Sequence, residues 1–196
     1  MRVSRRTLLA ALGGALGTAG RLRAARQTGL EAFGAATLAC TSDVTATPAV
    51  SAGADYRTGA PMRTAITAGR AGVPLALTGI VAGLSCGPIA GAIIEFWQPD
   101  ASGLYDAHGF DLRGRQATDP NGRYGLTTIM PGAPAGRAPS IGVHVVVPKR
   151  AELWTALFFP GQAANHRDPR FRQELVIALG GSDRARTGTF DIRLNL

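Results

Sequence analysis

The chain has 196 residues, 45% of them hydrophobic, with 26 glycines, 12 prolines, two cysteines and a formal charge of +8. Six of its 21 cations and none of its acids lie in the first 26 residues, so the remainder carries 15 basic against 13 acidic side chains. That near-neutral balance, with no basic patch interleaved with aromatics, argues against a nucleic-acid partner, and the glycine and proline content argues against a mainly helical protein.

At the N-terminus, Ser4-Arg5-Arg6-Thr7-Leu8-Leu9 opens a low-charge, Gly/Ala-rich run that ends at Gly20. A twin-arginine pair before such a run reads as a Tat-type export signal over residues 1–28, with periplasmic or extracellular delivery as its consequence. The apolar run is too short for a membrane span, which needs about 20 residues. Residues 29–72 are rich in Ser, Thr, Ala and Gly and lack periodicity, so they are expected to form a linker or extended arm laid over one domain, residues 73–196. Within the arm, Thr37-Leu38-Ala39-Cys40 is an imperfect lipobox, with Thr in the aliphatic position, and a lipid anchor on Cys40 is one use of that residue. An oxidising compartment equally permits a disulfide between Cys40 and Cys86, and two unpaired thiols are the third reading.

From residue 75 onward short apolar runs alternate with turn signals. Leu75–Leu84, Ala92–Gln98, Tyr124–Met130, Ile141–Val147, Leu153–Phe159, Leu175–Leu179 and Thr189–Leu194 are candidate strands, the sixth short enough to be helical. Ser85-Cys-Gly-Pro88, Asp119-Pro-Asn-Gly122, Pro131-Gly132, Pro160-Gly161 and Gly180-Gly-Ser-Asp183 separate them. Seven strands at this spacing predict an all-β, two-sheet antiparallel sandwich. Alternation places Tyr124, Leu126, Thr128 and Met130 on one face, so Tyr124 is expected to pack. His108 and His166 fall in loops, and Asp100, Asp106, Asp111 and Asp119 read as turn-forming residues rather than acid/base pairs. There is no nucleophile elbow, phosphate-cradling glycine loop or Cys-x-x-Cys site.

The order of motifs between residues 91 and 142 carries the functional signal: Gly91-Ala with an apolar run to Trp97-Gln98, Asp100-x-x-Gly103-x-Tyr105, Arg113-Gly-Arg-Gln-x-Thr-Asp119, Gly122-Arg-Tyr124, Thr128-Ile-x-Pro-Gly132 and Gly136-Arg-x-Pro139. This stretch resembles the intradiol ring-cleavage dioxygenases, with weaker likeness reaching back to Gly72–Gly79 and on to Leu157-Phe-Phe-Pro-Gly161. The resemblance implies the intradiol-type β-sandwich, non-haem Fe(III), and oxygen-dependent cleavage of a small aromatic diol between its hydroxyl carbons. It also implies a metal held by two tyrosinates and a His-x-His pair. Tyr105 matches the first tyrosine, and Arg137 matches the arginine that stabilises charge on the substrate. The other ligand positions hold Pro134, Ser140 and Gly142, and a glutamine of the family corresponds to Ala156.

His144 shares the strand face of positions 140 and 142, one pleat repeat of about 6.6 Å beyond the second histidine position. A two-residue bulge or slip would bring it onto that position. Tyr56 and Tyr124 are weaker stand-ins for the missing tyrosine. With so few donors the copy is expected to be impaired in metal binding and catalysis. The alternatives are a non-catalytic exported sandwich binding an aromatic or sugar-like ligand, or a protein partner, near Trp97, Tyr105 and Arg137, and a decaying copy without a selected role. Assembly into a homo-oligomer is left open.

Overall fold

The computed structural model describes residues 44–196. The expected leader, the lipobox and Cys40 lie outside the described residues. Cys86 is disulfide-bonded.

Among the described residues there are nine strands: β1 Pro74–Gly83, β2 Ile93–Trp97, β3 Arg113–Ala117, β4 Arg123–Ile129, β5 Ser140–Val147, β6 Ala151–Phe158, β7 Ala178–Ser182, β8 Ala185–Thr189 and β9 Ile192–Leu194. One sheet runs β4-β1-β8-β7, with β9 on the far end of β1, and the other runs β3-β2-β5-β6. The sandwich expectation holds, with one refinement: β1 runs parallel to both β8 and β9, while every other pairing is antiparallel.

Strand alternation divides the second sheet cleanly. Ile94 and Phe96, Val143 and Val145, and Leu153 and Leu157 point inward and meet Leu75, Leu77, Tyr124 and Leu126 of the first sheet in the main core. Glu95 and Trp97, Ser140, Gly142 and His144, and Trp154 and Ala156 therefore share the outer face. That face is covered in part by the arm, whose Tyr56 hydroxyl donates to Glu95 Oε2. The arm bonds Thr47 N–H to Arg193 O, Val50 N–H to Trp154 O and Thr155 Oγ1 to Pro48 O. Val50 then packs with Ala138, Ala156, Phe158 and Leu175 in a second, smaller core.

Two buried glutamines stitch the sheets together. Gln116 on β3 donates to Gly125 O (2.7 Å) and accepts from Gly125 N–H (3.2 Å) on β4. Gln98, just past β2, donates to Ile129 O (2.9 Å) and accepts from Thr128 Oγ1 (2.9 Å). Amides without these partners would be costly in such a core. Gln116 also explains why β3, Arg-Gly-Arg-Gln-Ala, is a strand despite its polar composition: its one inward side chain spends its polarity on the opposite sheet.

Two other boundaries differ from the apolar pattern. Leu175 ends a 3₁₀ turn, Gln173–Leu175, and β7 begins only at Ala178. The run Thr189–Leu194 is broken between β8 and β9, where Asp191 Oδ1 accepts from Ile80 N–H (3.0 Å) in place of a backbone carbonyl. At this break Phe190 O accepts from the Tyr124 hydroxyl at 2.6 Å. The same carbonyl presses on Gly79, where a Cβ would stand 1.8 Å from it. Tyr124 is thus a core residue, and burial drives its phenol pKa far above the ordinary value. Tyr124→Phe is expected to destabilise the domain by about 1–3 kcal/mol, because it leaves the part-buried Phe190 carbonyl without its donor, and a shift of the urea midpoint at constant slope checks this.

Candidate functional site

Tyr105 is positioned by two loops clasped through glycines. Asp100 Oδ1 accepts from Ser102 N–H, Ser102 Oγ and Leu104 N–H at 2.9, 2.6 and 3.0 Å, winding the turn that delivers Tyr105. Gly132 N–H donates to Asp100 O at 2.8 Å. A Cβ on Gly103 would lie 2.2 Å from Ala133 O, and one on Gly132 would lie 2.4 Å from Ala101 O. Neither loop tolerates a side chain at the clasp, so Tyr105 and Pro134 face one pocket of about 490 Å³.

Arginines surround the phenol. The guanidinium carbons of Arg137 and Arg113 lie 5.6 and 5.8 Å from the Tyr105 ring centre. Arg137 Nη2 donates to Asp55 Oδ2 at 2.7 Å, and Arg113 Nη1 donates to Asp55 O at 2.7 Å, so the arm is tied to both. Burial raises the Tyr105 pKa, with Arg137, Arg170 and Arg113 pulling it down and Asp55 adding to the rise. The net direction is upward, which keeps the phenol a neutral donor. Asp106, next along, accepts the N–H groups of His108, Gly109 and Asp111 and is held well below the ordinary carboxylate range by them. Asp119 similarly accepts from Asn121 and Arg123 N–H, and Asp111 pairs with Arg70. These aspartates serve loop geometry, as the sequence implies.

The expected histidine positions lie on the outer face of β5 and hold something else. Ser140 is buried with its Oγ facing Arg170 Nη2 at 3.4 Å. Arg170 in turn donates through Nε and Nη2 to the enclosed Asp168 carboxylate, which also accepts from Ala138 N–H at 3.1 Å. Burial pushes the Asp168 pKa up, but the side-chain bond from Arg170 and the backbone N–H groups of Arg170 and Ala138 outweigh it and leave it lowered. Gly142 pairs with Trp97, whose indole lies across it: a Cβ there would stand 2.1 Å from Cε2 and 2.4 Å from Cζ2.

His144 is not brought to Tyr105. Pairing of β5 with β2 and β6 runs without a bulge, so the two-residue slip that would carry it to position 142 is absent. Its ring stacks on Trp154 at 3.6 Å and 9°, with Nε2 at 2.8 Å from Glu152 Oε1 and Nδ1 at 3.7 Å from Glu95 Oε2. Tyr56 separates it from the pocket. The Tyr56 hydroxyl donates to Glu95 Oε2 at 2.9 Å, and its ring meets Trp97 and Trp154 edge-on at 5.0 and 4.7 Å. His108 and His166 are exposed in their loops.

The four positions that would hold a ferric ion therefore offer one neutral phenol, a proline, a serine facing an arginine and a glycine under an indole. This set does not fit a centre built from two tyrosinates and two imidazoles. Among the described residues no group of three or more His, Cys, Asp or Glu side chains is gathered as a metal site would require. Asp55, Asp168 and Arg170 were not singled out in the sequence, and Arg113 entered only as the first residue of a motif, with no role. Asp55-Tyr56-Arg57, a polar and aromatic cluster in an arm of small residues, left a visible signal.

Residues 46–140 match the dioxygenase family model. The dioxygenase domain of a dioxygenase carbohydrate-binding protein fusion from Streptomyces sp. SirexAA-E is 38% identical, superposes with a TM-score of 0.74, and aligns over 78% of this chain and 99% of that one. Catechol 1,2-dioxygenase from Acinetobacter radioresistens shares the fold at 22% identity and a TM-score of 0.71, over 78% of this chain and 63% of its own. Catechol 1,2-dioxygenase 1 of Acinetobacter lwoffii is 38% identical over 65 residues, which span 30% of this chain and 21% of that relative. The chain belongs to the intradiol ring-cleavage dioxygenase family.

Gly142→Ala should cost about 1–3 kcal/mol by overpacking, and about half of that or less in a Trp97→Phe background; a double-mutant cycle in urea measures the coupling. For Asp168 the lowered folded pKa means that its contribution is present above the unfolded value of about 4 and lost as pH falls through the folded value. Asp168→Asn should therefore be less stable than the parent at pH 7, with the gap narrowing as the pH drops below about 4, read from urea midpoints across pH.

Proposed function

We propose that this chain is a non-catalytic member of the intradiol dioxygenase family that has kept the pocket beside Tyr105 and lost the ferric centre, and that it acts by binding a small ligand. The observation that carries this reading is the indole of Trp97 lying over Gly142, where an imidazole would have to project. Pro134 contributes no donor atom, and Ser140 is drawn toward the Arg170–Asp168 pair. Arg137, expected to face developing charge on a substrate, is engaged by Asp55. Opening an aromatic diol is the chemistry associated with the family, and several oxygen-derived steps of it would need a metal that these side chains are poorly suited to hold. The pocket itself persists at a size suited to a compact organic molecule. Export through the twin-arginine leader belongs to the same proposal, since Tat cargo is delivered folded, and would make this a periplasmic or extracellular binding protein.

Iron content, the visible spectrum and oxygen uptake, taken together on ferric-loaded protein, test it. The expected result is substoichiometric iron, no tyrosinate-to-iron absorption, no oxygen uptake with catechol or hydroxyquinol, and no change in any of these in Tyr105→Phe. A coloured one-to-one complex that consumes oxygen on a diol would instead establish a dioxygenase with a rearranged ligand set.

A further inference from the structure

The pocket's uncommitted hydrogen-bonding groups say what it would take, given the metal-free reading above. Of its three lining arginines, Arg57 is spent on the carbonyls of Ala107 and His108, and Arg113 gives its two terminal nitrogens to Asp55 O and Asp106 O. Both Asp106 oxygens are filled by backbone N–H groups. Arg137 uses Nη2 on Asp55, while its Nη1 and the Tyr105 hydroxyl have no hydrogen-bond partner among the described residues. Arg137 Nη1 and Arg170 Nη1 lie 3.6 and 3.9 Å from the Cβ position of Gly53, so a second guanidinium backs the first. The side-chain acceptors left are Asp55 Oδ1, on a carboxylate already paired with Arg137, and the oxygen of the Tyr105 hydroxyl itself.

The lining thus holds three guanidiniums against two carboxylates, with spare capacity weighted toward donors. Its remaining walls are Ala54, Gly103, Ala107, Pro134 and Ala135 with the ring of Tyr56, whose hydroxyl is given to Glu95, and Leu104, 68% exposed, stands at the rim. A neutral diol or sugar brings no charge to set against the spare guanidinium nitrogen, and each of its O–H groups also asks for an acceptor in a lining weighted toward donors. A carboxylate brings acceptors alone, and it matches a guanidinium and a phenolic hydroxyl set side by side. We infer that the ligand of this pocket is a small organic monocarboxylate with a compact apolar body, held by Arg137 Nη1 and the Tyr105 hydroxyl, rather than a neutral diol.

The test is calorimetric titration of the full chain, metal-free, with sodium benzoate, benzyl alcohol and catechol as probes. Benzoate should bind at least about tenfold tighter than either neutral ring. Arg137→Gln should weaken benzoate by about tenfold or more and leave benzyl alcohol unchanged. Asp55→Asn, which releases Arg137 and removes a nearby negative charge, should tighten benzoate; this variant moves affinity the opposite way and so guards against a loss caused by misfolding. Equal affinity for benzoate and benzyl alcohol, no benzoate binding up to about 10 mM, or an Asp55→Asn protein that binds benzoate no better than the parent, overturns the inference. Oxygen uptake on catechol by the same preparation would overturn the non-catalytic reading beneath it and leave a measured benzoate preference standing.

Discussion

The register between β2 and β5 is the constraint on which the rest of the site depends. It sets Trp97 opposite Gly142 and Glu95 opposite His144, and through β6 it sets Trp154 opposite His144 and Ala156 opposite Gly142. Cross-strand neighbours on one face lie close enough to touch, so small residues at 142 and 156 leave room that the indole of Trp97 occupies. His144 is then satisfied by stacking and by two carboxylates before it could serve anything at Tyr105. One pairing register thereby divides the outer face into an aromatic, closed half and an arginine-lined, open half, with Tyr56 from the arm as the wall between them.

The arm does more than cover the sheet. Asp55 and Tyr56 are adjacent in sequence and go to opposite halves, one to Arg137 and the other to Glu95. Extended backbone turns successive side chains to opposite sides, so two neighbouring residues can bridge a boundary that no single strand crosses. Arg113 holds the intervening backbone through Asp55 O. The pocket exists in its present shape because this short stretch is pinned at three points.

Much of the fold was legible because β-strands with one buried face announce themselves by alternation: β1, β2, β4, β5 and β6 coincide with apolar runs. What was not legible involved side chains that do the work of backbone. β3 is polar because Gln116 and Arg113 reach across the sandwich and to the arm, and the break at Phe190–Asp191 is invisible because Asp191 supplies a hydrogen bond that a continuing strand would have made. The candidate site was half legible. Motif order pointed to Tyr105, Arg137 and the substituted positions; of these, Tyr105, Arg137 and Pro134 line one pocket, while Ser140 faces Arg170 and Gly142 lies under Trp97. Periodicity could not tell whether His144 would be free, since its partners Glu95, Glu152 and Trp154 come from two other strands, and it could not show that Asp168 and Arg170 fold back onto Ser140.

The glycine beneath Trp97 also fixes how position 142 can change. Any side chain there meets the indole at once, so an imidazole is sterically opposed unless Trp97 swings aside. The two positions are therefore coupled: a larger residue at 142 is accommodated only together with a rearrangement of the indole across the strand pair.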